Sequence, residues 1–139
     1  MTSVRIMLAG LGLVAALLSG CEMFTEEHLL EMTEAGEVKV TLLANEGTSS
    51  ALYLYRPIQV LLCANSSGNV GKTFSAGTYP AGTGLAFMIQ TNGQTVNSVD
   101  NPDHFQVEDI IDNCWRISCE DAVSNDEDFD DLMFEVRVE

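Results

Sequence analysis

Seven carboxylates and no Lys or Arg fall between positions 120 and 131 of this 139-residue chain: Glu120-Asp121, Asp126-Glu127-Asp128 and Asp130-Asp131. Hard oxygen donors crowded into one loop are what a calcium ion requires, since it takes carboxylate and carbonyl oxygens in a flexible shell. Asp126, Asp128 and Asp130 are spaced by two, so an extended backbone aims all three the same way. Two carboxylates about 6 Å apart repel by roughly 2–3 kcal/mol at an effective dielectric near 20, and less where salt and solvent screen them. A divalent cation turns that repulsion into attraction. The competing reading is a solvated acidic turn that serves solubility alone.

The spacing resembles the start of an EF-hand loop, but the remainder does not fit. Asp131 stands at the sixth position, where the sharp turn needs Gly, and Arg137 at the twelfth, where a bidentate Glu belongs. An EF-hand is therefore rejected.

The acidic run leads directly into Leu132-Met133-Phe134-Glu135-Val136-Arg137-Val138. Leu132, Phe134, Val136 and Val138 alternate with Glu135 and Arg137, the period-two pattern of a strand with one buried face. Upstream, Val38, Val40 and Leu42 alternate with Lys39 and Thr41, and Leu85, Phe87 and Ile89 repeat the pattern. Ala51–Tyr55 and Ile58–Ala64 are apolar runs parted by Arg56-Pro57, and Pro57 marks a strand edge or turn. Gly- and Ser-rich punctuation follows at 65–69 and from Ala76 to Gly84. Asn92-Gly93 is the strongest short-range signal for a type I′ hairpin turn. Shorter strands are expected near His104–Val107 and Asn113–Cys119. About eight short strands with turns between them predict an all-β chain, an antiparallel β-sandwich or jelly roll. No long helix and no internal repeat is evident beyond the amino-terminal segment.

That segment carries Arg5, an uncharged apolar run from Ile6 to Leu18, and then Ser19-Gly20-Cys21. The run is too short for a membrane span and has the flanks of a signal peptide. Leu18-Ser19-Gly20-Cys21 resembles the lipobox of bacterial lipoproteins, in which the chain is cut before the Cys and the Cys is acylated; the alternative is an ordinary secretory signal. The resemblance implies a lipid anchor on Cys21, with the membrane as partner. Glu22 follows where an inner-membrane retention signal has Asp, so the resemblance favours the outer membrane of a bacterial envelope.

The expected organisation is a signal peptide over residues 1–20, an acidic tether over 21–36 and one β-sandwich domain over 37–139. Thr25 offers a cap for a short helix with Glu26 and Glu27 in its first turn; a flexible tether is the alternative. Cleavage leaves 119 residues, enough for a domain with its own core. Five basic residues against 21 acidic then give a formal charge of −16. Such a surface repels phosphate backbones and argues against nucleic acid as a partner.

With Cys21 committed to lipid, Cys63, Cys114 and Cys119 remain for an oxidising compartment, one disulfide and one thiol being the simplest count. In a single strand Cys114 and Cys119 point to opposite faces. Cys63–Cys119 is the first pairing expected, and Cys114–Cys119 across a bend the second.

A second resemblance rests on Trp115-Arg116-Ile117-Ser118-Cys119-Glu120-Asp121 and on Asp126-Glu127-Asp128-Phe129-Asp130-Asp131-Leu132-Met133-Phe134. These are similar to the signature of a bacterial extracellular domain of unknown function, found in adhesins and anchored or secreted surface proteins. Its hallmark is an apolar strand ending in Glu-Asp, a short loop, then D-x-D-[FY]-N-D and a hydrophobic strand. Glu46-Gly47 to Tyr55 resembles its early strand pair, and Tyr79-Pro80-Ala81-Gly82-Thr83 its turn before the central strand. The resemblance spans residues 38–139. It implies a β-sandwich that binds calcium through Glu120, Asp121, Asp126, Asp128, Asp130 and Asp131. Asp130 replaces the usual Asn, and Ala122-Val123-Ser124-Asn125 lacks the usual glycines.

Other residues offer less chemistry. A lone His104, within Asp103-His104-Phe105, is more often structural than a metal ligand, and His28 lies in the polar lead-in. Tyr53, Tyr55 and Trp115 are candidates for a glycan or peptide surface, though at alternating strand positions aromatics more often pack. No nucleophile–base pair is present, and the acidic cluster is too local to place two carboxylates across a substrate as a glycosidase does. The sequence therefore predicts a non-enzymatic surface domain with structural calcium, in adhesion or envelope organisation. A glycan- or peptide-binding module is the alternative, and a hydrolase is third.

Overall fold

Val38, Val40 and Leu42 are fully buried along one face of a strand running Gly36–Ala44, and the same alternation builds the rest of the domain. A computed structural model describes residues 28–122 and 131–139. Its strands are β1 (Leu30–Glu31), β2 (Gly36–Ala44), β3 (Ala51–Arg56), β4 (Val60–Cys63) and β5 (Thr73–Tyr79). They continue as β6 (Gly84–Thr91), β7 (Gln94–Asn97), β8 (Phe105–Ile111), β9 (Cys114–Cys119) and β10 (Leu132–Val138). All pairings are antiparallel. One sheet runs β1-β6-β3-β4 with β7 also on β6, and the other runs β5-β2-β10-β9-β8. The fold is the all-β antiparallel sandwich that the alternation predicts.

The core lies between the two sheets. Phe87 from β6 and Phe134 from β10 meet at its centre with ring centroids 5.2 Å apart and planes tilted by 59°. Leu52, Leu54, Ile89, Ile117 and Leu132 surround them and are essentially inaccessible to water. Each such side chain contributes about 1.5–3 kcal/mol through burial. In β10, Leu132, Phe134 and Val136 face this core while Glu135 and Arg137 face out, as their spacing predicts.

Ten strands are present among the described residues where about eight were expected, and the difference lies at the sheet edges. β1 is two residues long and falls within the stretch expected to be a tether. It pairs with Leu85 and Gly84, and Leu30 and Met32 enter the core, so the sandwich begins before residue 37. β5 occupies part of the stretch expected to be turn punctuation. Its exposed positions are Thr73, Ser75 and Thr78, a polar edge without a clean hydrophobic period. β7 is the return strand of the Asn92-Gly93 turn. Asn92 and Gly93 have φ of 53° and 79°, the two positive values a type I′ turn needs.

Helical structure among the described residues consists of two three-residue 3-10 turns, Ser66–Gly68 and Pro102–His104. No helix among them is long and apolar enough to cross a membrane. The expected signal peptide, Cys21 and the Thr25 helix start lie outside the described residues.

Candidate functional site

β9 and β10 are neighbours in register, with Cys119 opposite Leu132. Glu120-Asp121 therefore leaves one strand where Asp131 enters the next. Sequence spacing puts these three carboxylates at the two ends of one loop, and the structure brings them to one end of the sandwich. Glu120, Asp121 and Asp131 are 4%, 1% and 4% exposed, which is unusual for charged residues. The Asp121 N–H donates to Asp131 Oδ2 at 3.0 Å, tying the two sides of the loop together. Asp126, Asp128 and Asp130 lie outside the described residues.

A third segment joins this end. β2 pairs with β10 as far as Ala44 opposite Met133, so the turn that follows β2 runs past Asp131. The Gly47 N–H donates to the Asp131 carbonyl at 3.3 Å. A Cβ on Gly47 would stand 2.7 Å from Asp131 Oδ1, so only glycine admits the carboxylate in this position. The turn is itself held. Asn45 Nδ2 donates to the Gly47 carbonyl at 3.0 Å, and buried Ser66 donates to Asn45 Oδ1 at 2.6 Å. The Ser50 N–H in turn donates to Ser66 Oγ at 2.8 Å. Sequence reading singled out Glu46-Gly47 only through a resemblance; the contact with Asp131 spans 84 positions and has no local signal.

His104 fixes the other side. The Glu120 N–H donates to the His104 carbonyl at 2.9 Å, and His104 Nδ1 donates to the Glu120 carbonyl at 2.8 Å. A carbonyl only accepts, so Nδ1 carries the proton in this arrangement. His104 thus orients the backbone of a candidate ligand. Of its two expected roles, metal ligand or structural residue, the geometry shows the structural one.

The electrostatics mark the same place. The Cys119 thiol is pushed well above its ordinary value by complete burial, with the nearby Asp131 charge adding to the effect. Anionic groups buried against an apolar core need compensation from hydrogen bonds or a cation. Among the described residues, however, no group of three His, Cys, Asp or Glu side chains is placed to hold a metal ion. Carboxylate oxygens are the donors calcium favours, so the chemistry of Glu120, Asp121 and Asp131 fits that ion.

The three cysteines of the domain are buried free thiols, and the expected bridges do not form. Cys114 and Cys119 cap opposite ends of β9, about 17 Å apart at strand rise, far beyond the reach of a disulfide. β4, which carries Cys63, packs near β5, three strands across the second sheet from β9. At about 4.8 Å per strand and 10 Å between sheets, Cys63 is equally remote from Cys119. Cys114 Sγ instead donates to Glu135 Oε2 at 3.2 Å, and burial followed by this carboxylate raises its pKa.

Of the candidate aromatics, Trp115 does not share a surface with Tyr53 and Tyr55. Trp115 packs in the core, whereas Tyr53 and Tyr55 are half-buried on β3 in the other sheet. Tyr53 donates to Gln90 Oε1 at 3.3 Å, and the Arg56 guanidinium lies 4.3 Å from the Tyr55 ring centre. Comparisons with protein-family models, with curated proteins and with solved structures find no match to this chain.

Proposed function

We propose that this is a lipid-anchored domain of a bacterial cell envelope, probing no substrate but stabilised by calcium at the end of its sandwich. Glu120, Asp121, Asp126, Asp128, Asp130 and Asp131 are the proposed ligands, with Cys21 the proposed site of acylation. The reading rests on one observation above all: Glu120, Asp121 and Asp131, which bracket the acidic loop, are each buried rather than solvated. A loop serving solubility alone gains nothing from burying the carboxylates at its two ends. The lipobox resemblance supports the anchor, and the domain signature supports calcium and a role in adhesion or surface organisation.

When bound, calcium would supply the positive charge that offsets the crowded carboxylates. The chain's own groups do the positioning: Asp121 N–H and Gly47 hold Asp131, and His104 holds Glu120. Extracellular calcium modules bind at about 10⁻⁴ to 10⁻³ M, which makes the ion a clamp rather than a signalling switch. Calorimetric titration of the protein with calcium is the direct test. Saturable heat that disappears in Asp128→Ala supports the site, and a flat titration removes it.

A further inference from the structure

β8 closes one edge of its sheet, and Phe105 is its one buried residue. The opposite layer explains why. β3 takes one edge of β6, so the other edge is divided between two short strands, β1 at Leu85 and Gly84 and β7 from Met88 to Thr91. β8 is seven residues long, and among the described residues no strand of matching length covers it. Val107, Ile110 and Ile111 are left 40%, 41% and 70% exposed, although β-branched residues of this kind belong in a packed strand. β5, the equally long edge of the same sheet, shows solvent Thr73, Ser75 and Thr78 instead.

Between β8 and β1 lies a cavity of about 390 Å³, lined by Glu31, Asp109, Ile110, Ile111, Asp112 and Trp115 among others, with no Lys or Arg among the described residues. Glu31 is 3.5 Å from His28, but neither Asp109 nor Asp112 has an ion-pair partner among the described residues. Glu108, one residue along, already pairs with Arg116 at 3.2 Å. The cavity thus combines apolar wall with carboxylates, the chemistry that receives a long cationic side chain by its stem and its head group together. Negative charge along the edge also repels a second copy of β8, while leaving it open to a strand of opposite sign.

We propose that the β8 edge and this cavity dock an extended cationic segment of a protein partner, added as a further strand with a Lys or Arg side chain between Glu31, Asp109 and Asp112. Main-chain hydrogen bonds to the open edge would supply affinity, and the acidic cavity would select the side chain. The cavity lies at the Cys114 end of β9, away from the proposed calcium site at the Cys119 end.

The test uses the full chain in non-ionic detergent and a fluorescent octapeptide of alternating Lys and Val, followed by anisotropy. The proposal predicts saturable binding, weakened at least fivefold by Asp109→Asn or Asp112→Asn and less than twofold by Asp103→Asn. The same peptide methylated on every backbone nitrogen should lose binding at least tenfold, since it keeps its charge but cannot extend a sheet. Circular dichroism confirms that these exposed variants stay folded. Absence of saturable binding, equal binding of the methylated peptide, or equal losses from D103N and D109N would each overturn the proposal.

Discussion

Two groups of carboxylates sit at the two ends of β9, and they differ in everything except residue type. At the Cys119 end, Glu120, Asp121 and Asp131 are buried, and the Asp131 carboxylate accepts the Asp121 N–H and lies against Gly47. At the Cys114 end, Asp109 and Asp112 are exposed beside isoleucines that are themselves exposed. Burial makes the first group costly unless something compensates it, and the proposed calcium ion would do so. Exposure makes the second group cheap, so it points outward to a partner. Counting acidic residues would treat the two alike; their surroundings separate them.

The difference can be broken or sharpened by substitution. Ile117 lies between the two ends in the buried face of β9. Ile117→Ala should cost about 2–5 kcal/mol in urea unfolding, because both ends hang on the same core. Asp131→Ala should come next. It leaves the buried Asp121 N–H without its acceptor, at about 1–3 kcal/mol, and in millimolar calcium it also forfeits the ion's contribution. Asn113, in the turn between β8 and β9, has φ of 58° and exchanges two hydrogen bonds with Thr33, at 3.0 and 2.7 Å. Asn113→Ala should cost about 1–2 kcal/mol, through the lost bonds and the strained backbone. Asp109→Ala should change stability by less than about 0.5 kcal/mol. If Asp109→Ala proved as costly as Asp131→Ala, the contrast between the two ends would be lost.

What the sequence shows of this molecule depends on how local each signal is. The faces of β2, β6, β9 and β10 are legible because Val38, Phe87, Ile117 and Phe134 recur with period two, and the Asn92-Gly93 turn because its backbone demands those residues. β1, β5 and β7 are not, because an edge strand buries too little to need a hydrophobic rhythm. The domain therefore starts earlier than the alternation implies, at Leu30 and Met32. The cysteine pairing fails for a related reason. Face and compartment can be argued from spacing, but which strand lies over which is a property of the whole topology, and it sets Cys63 far from Cys119. At the candidate site, Glu120, Asp121 and Asp131 were legible as candidate ligands by type. The contact of Gly47 with Asp131 was not, since it reaches across 84 positions.

The central claim is that calcium compensates the buried carboxylates, and thermal unfolding in calcium against chelator tests it most directly. With a dissociation constant near 10⁻⁴ M, millimolar calcium adds about 1.4 kcal/mol. For a domain of this size that raises Tm by about 5–10 °C. Asp128→Ala should abolish the rise while leaving Tm in chelator nearly unchanged. A Tm that is the same in calcium and in chelator would contradict the account.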